Sequence, residues 1–246
     1  MLDPSALIKA SFEAGRDLFR ATTPDEAAAA PAASPARRTG SVPIRSLGPS
    51  HRERITEHLL ALDERDRYLR FGYAANDAQI RRYAEGLNFD RDDIFGIYNR
   101  KLELLAMAHL AFSVDPQFNT CAEFGVSVAK KARGRGYGGR LFERAVVHAR
   151  NEGVSQLFIH ALSENTAMLK IARKAGAVIE RDGSESEAHL RLPAADFESR
   201  VSELVDEQLA RTDYHVKAQA RQFWQFLGTL QDIRRGVQQA REKAGP

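Results

Sequence analysis

The segment ARGRGYGGRLF, from Ala132 to Phe142, holds four glycines and three arginines in eleven residues. It lies between AEFGVSVAKK, which has the composition of a strand, and ERAVVHAR, which has the apolar spacing of a helix. The first backbone N–H groups of a helix have no intrahelical partner, and the helix dipole adds partial positive charge there. Glycines let a ligand approach the backbone closely. The segment therefore predicts a strand–turn–helix unit that binds an anion, most often phosphate.

Two common phosphate-binding patterns fit this segment only in part. Gly134 and Gly139 match the ends of a P-loop, but Arg140 and a leucine follow where Lys and Ser or Thr are needed, which argues against ATP or GTP chemistry. Gly134, Gly136 and Gly139 also spell the dinucleotide pattern G-x-G-x-x-G. The acidic residue expected at the end of the next strand is missing, because LFIHAL has His160 there. A tight turn that binds nothing needs one glycine rather than four.

A third pattern, Arg-x-x-Gly-x-Gly, stands at Arg133, Gly136 and Gly138. It resembles the pyrophosphate loop of the GNAT N-acetyltransferases, which bind acetyl-CoA. The resemblance covers residues 42–193. It includes the strand with an acidic residue before the loop and, in NTAMLKIARKAGA, a helix that begins at Asn165. The segment DRYLRFGYAANDAQIRRYAEGLNFDRDDIFGIY also looks like bacterial GNAT domains.

The predicted elements follow the order β-α-α-β-β-β-α-β-α-β-β, which gives an α+β domain over residues 41–193. The resemblance implies a mixed, mostly antiparallel central sheet flanked by helices. Residue types at the element ends predict helix N-caps at Ser50 and Asn76, helix ends at Gly153 and Gly176, and a hairpin turn at Asp182–Gly183.

The domain is flanked by segments of different composition. Residues 1–40 combine a short helix with an Ala/Pro-rich stretch that lacks large apolar groups, which predicts a flexible linker. Residues 194–246 predict a C-terminal helical extension. Its apolar residues recur at seven-residue spacing, at Leu209, Val216, Phe223, Leu230 and Val237. This spacing favours packing on the domain or pairing with a second chain in a homo-oligomer.

The resemblance implies where the cofactor binds. In the family, the strands before and after the loop splay apart, pantetheine lies against the backbone of the first strand, and the pyrophosphate sits on the loop amides from Arg133 to Arg140. Arg133 and Arg135 would add charge-assisted contacts, and Asn165 would contact the CoA arm. The arginines at 135 and 140 can equally be solvated surface. The implied cofactor-binding residues are Phe124, Val126, Val128, Arg133, Gly134, Arg135, Gly136, Tyr137, Gly138, Gly139, Arg140 and Asn165.

The resemblance also implies direct transfer of an acetyl group to an amine. The oxyanion would be stabilised by a strand N–H, that of Val126. Glu123 matches the acidic position that often serves as general base, and burial beside the cleft is expected to raise its pKa. The alternative for Glu123 is an ion pair or a contact to substrate.

One departure from the family concerns the acid that protonates the leaving thiolate. Many members carry a tyrosine on the last helix, and this chain has Ala172 there, seven residues after Asn165. Water can replace the tyrosine as the acid. Alternatively, no acid is needed and the sulfur leaves as a thiolate, since an ordinary thiol has a pKa of about 8.5. His160 is a possible substitute, although a lone histidine in a strand is more often structural.

The acceptor site falls in the helical segment after the first strand. The residues there are Arg67, Tyr68, Arg70, Phe71 and Tyr73. Arginines would favour an acidic acceptor, and the aromatic rings would stack on one. The alternative is that the aromatic residues belong to the core and the arginines to the solvated surface.

Charge and cysteine content exclude several other classes. The net charge of +3 is far from that of a dedicated nucleic-acid binder. The single cysteine, Cys121, allows neither a disulfide nor a cysteine-based zinc site, and no metal is expected. The N-terminus has no secretory pattern and no apolar run has transmembrane length, which predicts a cytoplasmic protein that binds neither membrane nor nucleic acid.

The leading hypothesis is thus an acetyl-CoA-dependent N-acetyltransferase that acts on an amine of a small molecule or a protein. A non-catalytic sensor or regulatory module that binds CoA or acyl-CoA is the alternative, supported by the missing tyrosine. A third possibility is an interaction protein that assembles through its terminal helices.

Overall fold

The computed structural model describes residues 42–115, 118–195 and 203. The elements follow the order expected from the sequence, except that three helices rather than two stand between the first two strands. They are β1 (Arg45–Ser46), α1 (Arg52–Leu60), α2 (Glu64–Phe71), α3 (Asp77–Glu85), β2 (Asp93–Tyr98), β3 (Leu104–Phe112), β4 (Cys121–Val128), α4 (Tyr137–Asn151), β5 (Gln156–Leu162), α5 (Thr166–Lys174), β6 (Val178–Asp182) and β7 (Glu185–Arg191). Short 3₁₀ turns at Pro49–His51 and Lys130–Ala132 precede α1 and the glycine-rich loop.

The strands form one seven-stranded sheet in the order β1-β2-β3-β4-β5-β7-β6. Every neighbouring pair is antiparallel except β4 and β5, which run parallel. The expected α+β fold with a mixed, mostly antiparallel sheet is therefore confirmed. The parallel pair is short, because β4 and β5 are in register only from Cys121–Gln156 to Glu123–Phe158. Beyond Glu123 the two strands diverge, and the gap between them positions the site.

Helices cover both faces of the sheet, and the alternation of β4 decides which residues meet which helices. Phe124 is buried on the face of α4, where it packs edge-on against Phe142 with ring centroids 5.0 Å apart. On the opposite face, Ser127 meets α1 through a hydrogen bond of 2.9 Å to the buried His58. Each face carries its own apolar cluster, so the central strands are buried on both sides.

Most predicted element ends agree with the structure. Asn76 caps α3 in a capping box with Gln79, and the glycines after α4 and α5 have φ values of +83° and +85°. The expectation for Ser50 is wrong. This residue lies inside the 3₁₀ turn, and His51 is the N-cap of α1, because the chain makes one tighter turn before the helix begins.

Of the predicted C-terminal extension, the structure describes Glu203. Its carboxylate contacts three residues of α4, with an Oε1 atom 2.6 Å from Nη1 of Arg144 and further hydrogen bonds to His148 and Asn151. The apolar stripe of residues 209–237 and the N-terminal residues 1–40 lie outside the described part of the chain, so the domain boundaries and the homo-oligomer stay predictions. No described helix is long and apolar enough to cross a lipid bilayer.

Candidate active site

A cleft of about 1550 Å³ opens where β4 and β5 diverge. Its base is formed by residues 123–128 of β4 and residues 160–162 of β5. Parts of α2 and α3 form one wall, and the glycine-rich loop and α5 form another. The β6–β7 hairpin closes the remaining side. The glycine-rich loop, which the sequence predicts to bind an anion, therefore lies beside the gap between β4 and β5.

Backbone groups of β4 face the gap at alternate residues. Hydrogen bonds from Ser113 N–H to Cys121 O (3.1 Å) and from Ala129 N–H to Leu105 O (2.8 Å) mark the residues that bond to β3. Since antiparallel pairing uses every second residue, odd-numbered residues of β4 bond to β3 and even-numbered residues point away from it. Above Glu123 these are Phe124, Val126 and Val128, the residues that the family resemblance implies for pantetheine. Their contact with a cofactor stays a prediction.

The glycine-rich loop has the backbone geometry of an anion cradle. Gly134 and Gly136 have φ values of +74° and +75°, a region that side chains disfavour, so glycine is required at both positions. The amide of Arg140 donates to Gly136 O (3.1 Å), and the amide of Arg133 donates to Lys130 O (3.4 Å). The amides of Arg133 and Arg140 are therefore not free to bind an anion, although the expected set of amides includes both. Between Arg133 and Arg140, the amides of residues 134–139 have no backbone acceptor.

The loop arginines do not all face the cleft. Arg133 lines it, but its guanidinium forms an ion pair with Asp66 of α2. Arg135 and Arg140 lie outside the cleft wall, so the expectation of side-chain contacts from Arg135 finds no support. Tyr137, Gly138 and Gly139 line the cleft as expected, and a Cβ at Gly138 would lie 3.3 Å from the side chain of Ile171.

Asn165 lies at the cleft with both ends of its side chain already bonded. Its Oδ1 accepts from the amide of Met168 (3.2 Å) and so caps α5, and its Nδ2 donates to the carbonyl of Leu69 in α2 (3.3 Å). This residue therefore ties α5 to α2 across the cleft, in addition to any contact with the CoA arm.

Glu123 and His160 form the centre of a charged cluster at the base of the cleft. Nδ1 of His160 lies 3.5 Å from Oε1 of Glu123, and its Nε2 lies 3.1 Å from Oε1 of Glu187. Burial disfavours the imidazolium, but the two carboxylates outweigh burial and raise the pKa of His160 to about 10. The ring is therefore a cation at neutral pH, and the cluster carries a net charge of −1.

The expectation that burial raises the pKa of Glu123 is wrong. Burial does act in that direction, but the hydrogen bond and charge of His160, together with the charges of Arg70 and His109, lower the pKa below its ordinary value. Glu123 is consequently ionised throughout the neutral range. The histidine lies far from Glu123 along the chain, and only the pairing of β4 with β5 brings them together.

A series of hydrogen bonds runs from the buried Asp92 to Arg70 at the cleft. Burial opposes ionisation of Asp92, but hydrogen bonds from Arg91 and His109 keep its pKa low. Its Oδ2 lies 3.2 Å from Nε2 of His109, and Nδ1 of His109 lies 2.8 Å from the hydroxyl of Tyr83. The same hydroxyl accepts from Nη2 of Arg70 (2.9 Å). Neither His109 nor Tyr83 is among the site residues expected from the sequence.

Ala172, which stands where many family members have a tyrosine, does not line the cleft. Ala172 is fully buried among core residues of α5. The residues of α5 that do line the cleft are Ala167, Met168, Lys170, Ile171 and Lys174. A tyrosine at position 172 would point into the core. In this helix, the position expected for the acid therefore faces away from the cleft.

The predicted acceptor residues divide into two groups. Arg67 donates to backbone oxygens of the α1–α2 turn and forms an ion pair of 2.7 Å with Asp77, so it holds that turn together. Tyr68 lies outside the cleft wall. The remaining three line the cleft, namely Arg70, Phe71 and Tyr73.

Sequence reasoning missed an acidic wall on the β6–β7 hairpin. Glu180 lies directly opposite Glu187, and Asp182 lies directly opposite Glu185. Like charges opposite each other destabilise a sheet, and all four carboxylates line the cleft. The pattern was visible in the sequence as VIERDGSESE, but its meaning depends on which residues pair across the hairpin. In residues 42–115 and 118–195, no group of His, Cys, Asp and Glu side chains is arranged to hold a metal ion.

Comparisons with known proteins agree with this architecture. The model of the Acetyltransferase (GNAT) family matches residues 56–177. The GNAT domain of S. lividans PAT superposes with a TM-score of 0.52 at 19% sequence identity, covering 61% of this chain and 89% of that one. Ribosomal-protein-alanine N-acetyltransferase from Brucella melitensis gives a TM-score of 0.50 at 18% identity, covering 61% and 99% of the two chains. At these identities the structural likeness establishes the fold.

Three findings together define an acyltransferase enzyme: the gap between β4 and β5, the glycine-rich loop and the family match. Residues 56–177 form a domain of the GNAT acetyltransferase family.

Proposed function

We propose that the protein is an N-acetyltransferase that moves an acetyl group from acetyl-CoA directly to an amine. One observation carries this proposal. The pairing of β4 with β5 ends at Glu123, and the open strand edge beyond it leads to the unbonded amides of the glycine-rich loop. Such a groove fits an extended ligand with an amide-bearing arm at one end and a pyrophosphate at the other.

The residues of the cleft fit acetyl-CoA by chemistry as well as shape. Amides 134–139 and the N-terminus of α4 bind the pyrophosphate, and the backbone of Phe124 and Val128 bonds to the pantetheine arm. Acetyl-CoA supplies an activated thioester. The N–H of Val126 points into the gap, where it stabilises negative charge on the thioester oxygen during attack.

Transfer forms the bond between the amine nitrogen and the acetyl carbon and breaks the bond from that carbon to sulfur. Glu123 holds the incoming ammonium group and takes one proton from it, directly or through water, and the second proton passes from the nitrogen to water after attack. Its low pKa makes it a weaker base than an ordinary glutamate, so its charge contributes mainly by attracting the ammonium group. The sulfur leaves as a thiolate, which at neutral pH needs no strong acid because an ordinary thiol has a pKa of about 8.5.

A second candidate is a module that binds CoA or acyl-CoA without turnover. The burial of Ala172 favours it, because α5 brings no tyrosine to the cleft. The ionised Glu123 at the strand divergence favours the enzyme.

The experiment that separates these candidates combines binding with turnover. Melting temperatures are measured with acetyl-CoA, CoA, NAD and ATP at matched concentrations, and a ligand at a hundred times its Kd stabilises the fold by about 2.7 kcal/mol. We expect a rise with acetyl-CoA and CoA only. Acetyl transfer to a panel of amines is then compared for the wild type, Glu123→Gln and the exposed control Glu152→Gln. Loss of transfer in the first variant alone supports the enzyme. CoA binding without transfer to any amine supports the module, and stabilisation by NAD or by nothing contradicts both.

A further inference from the structure

The guanidinium of Arg70 lies on the bare backbone of β4. A Cβ placed at Gly125 would lie 2.7 Å from Nη2, 2.8 Å from Cζ and 2.9 Å from Nη1 of Arg70, so only glycine permits this approach. Gly125 and Glu123 are on the same face of β4, since side chains of a strand alternate. The guanidinium and the Glu123 carboxylate therefore lie side by side on the base of the cleft.

In the described part of the chain, no carboxylate lies within ion-pair distance of Arg70, although its charge acts on the neighbouring Glu123. Its Nη2 donates to the neutral hydroxyl of Tyr83, and its Nε is buried without a hydrogen-bond partner. Arg133, which lines the cleft from the loop, is by contrast paired with Asp66. The guanidinium of Arg70 is therefore available to an anionic group in the cleft.

Arg70 is held in this position by the buried chain of hydrogen bonds. Nε2 of His109 donates to Asp92, and Nδ1 of the same ring is hydrogen-bonded to the hydroxyl of Tyr83. The oxygen of Tyr83 then has a free lone pair for Arg70. Burial raises the pKa of Tyr83, so the phenol keeps the proton that this arrangement needs. A solvated surface arginine requires no such support, whereas a binding group gains precision from it.

We propose that the acceptor is a small amine that also carries a carboxylate, in the manner of a free amino acid. This rests on the function proposed above. The ammonium group binds at Glu123, where the cluster with His160 and Glu187 has a net charge of −1. The carboxylate binds at the guanidinium of Arg70. The two charged side chains lie next to each other on one face of β4, so one small molecule that carries both an ammonium group and a carboxylate can reach both.

The test compares acceptors that differ only in the carboxylate. Initial rates are measured for the full chain with acetyl-CoA and a set of amino acids, the matching amino acid amides, and a lysine-containing peptide blocked at both ends. We expect kcat/KM to be higher by about tenfold or more for the carboxylates than for the amides, because a charged group designed for a partner discriminates strongly against its absence. The preference is measured at two pH values, since an amide also lowers the pKa of its neighbouring amine.

Variants of Arg70 then assign the preference to this residue. Arg70→Gln is expected to raise KM for the carboxylates and leave KM for the amides unchanged, and Arg70→Lys to restore part of the loss. The matched control is Arg65→Gln on the same helix, where the arginine is 68% exposed and pairs with Glu164 at the surface. Melting temperature and stabilisation by CoA report whether each variant is folded with an intact cofactor site.

Each outcome decides the matter. Equal rates with carboxylates and amides, a preference for the peptide, or an equal loss in both series for Arg70→Gln overturns the inference while leaving acetyl transfer intact. No transfer to any amine, combined with no further stabilisation by amino acids in the presence of CoA, overturns the inference and the proposed function together.

Discussion

Nδ1 of His160 lies 3.5 Å from Oε1 of Glu123, across the last residues at which β4 and β5 remain neighbours. The imidazolium has its pKa raised to about 10, and it holds the pKa of the glutamate below the ordinary value. The residue placed to receive the amine proton is thus a stable anion because a cation lies beside it. Removing that cation has a measurable consequence.

We expect His160→Gln to move the acid limb of the pH–rate profile upward. Without the imidazolium, burial dominates the surroundings of Glu123 and raises its pKa, so protonation begins at a higher pH. The measurement is kcat/KM for acetyl transfer between pH 4 and pH 9. The control is His148→Gln, which removes a histidine outside the cleft and is expected to leave the acid limb in place. An unchanged limb in His160→Gln would show that another group sets it.

The cofactor loop gives a prediction about Gly136. At its φ of +75°, alanine at this position is strained, and we expect Gly136→Ala to cost about 1–2 kcal/mol of stability and to weaken CoA binding, since the N-terminus of α4 shifts. Melting temperature and CoA titration are the measurements. Gly48→Ala is the control, because Gly48 has a φ of −107° and open space where a Cβ would stand. Equal effects of the two substitutions would contradict a special role for the loop.

Gly125→Ala tests the position of Arg70 without changing the arginine. The new methyl group would lie 2.7 Å from Nη2 of Arg70 and displace a flexible side-chain end, so stability is expected to change little while KM for a carboxylate acceptor rises about tenfold. KM for acetyl-CoA stays the same.

Gly96→Ala provides the contrasting variant. Its methyl group would lie 2.8 Å from side-chain atoms of Leu47 and Leu104, which are buried. It is expected to lower stability by about 1–3 kcal/mol through overpacking and to leave the choice of acceptor unchanged. The idea fails if both variants change acceptor KM in parallel with stability.

The contact of Glu203 with α4 predicts a window of pH for maximal stability. Burial opposes the charge on His148, but the hydrogen bonds that it donates to Asp93 and Glu203 raise its pKa to about 9. Its contribution is therefore complete below its ordinary value of 6.5 and is lost as the pH rises through 9. Burial likewise opposes the charge on Glu203, but His148, Asn151 and Arg144 lower its pKa to about 2. That contribution is complete above the ordinary value of 4.5 and is lost as the pH falls through 2.

Both contributions are complete between pH 4.5 and 6.5. We expect Glu203→Gln to lower the melting temperature most within this window and to flatten its decline at alkaline pH. Glu143→Gln is the control, because Glu143 pairs at 3.7 Å with Lys174 while both side chains are mostly exposed. A decline of the same slope in both variants would mean that the C-terminal contact does not contribute.

The sequence predicted the parts of the site that depend on local geometry. A helix that begins after Gly136 and a cap at Asn165 follow from residues close together in the chain, and both occur. These features need no knowledge of which strands are neighbours.

Features that depend on strand pairing could not be predicted in this way. The sign of the pKa shift of Glu123 depends on His160, which reaches it through the parallel pairing of β4 and β5. The hydrogen bonds from Asp92 to Arg70 join two helices, β3 and the residue that precedes β2. No periodicity in the sequence connects these positions, because each of them alone has the composition of an ordinary core or surface residue.

Because the pairing of β4 with β5 is short, the sheet consists of two halves that are joined over only a few residues. Three residue pairs join the half-sheet of β1 to β4 to the half-sheet of β5 to β7. Beyond them, a bound molecule that bonds to the open edge of β4 and touches α5 acts as the missing strand. Hydrogen exchange of the β4 amides and the resistance of the two halves to separation should therefore both increase when the cleft is filled. In such a domain the substrate is a structural element of the sheet for as long as it stays bound.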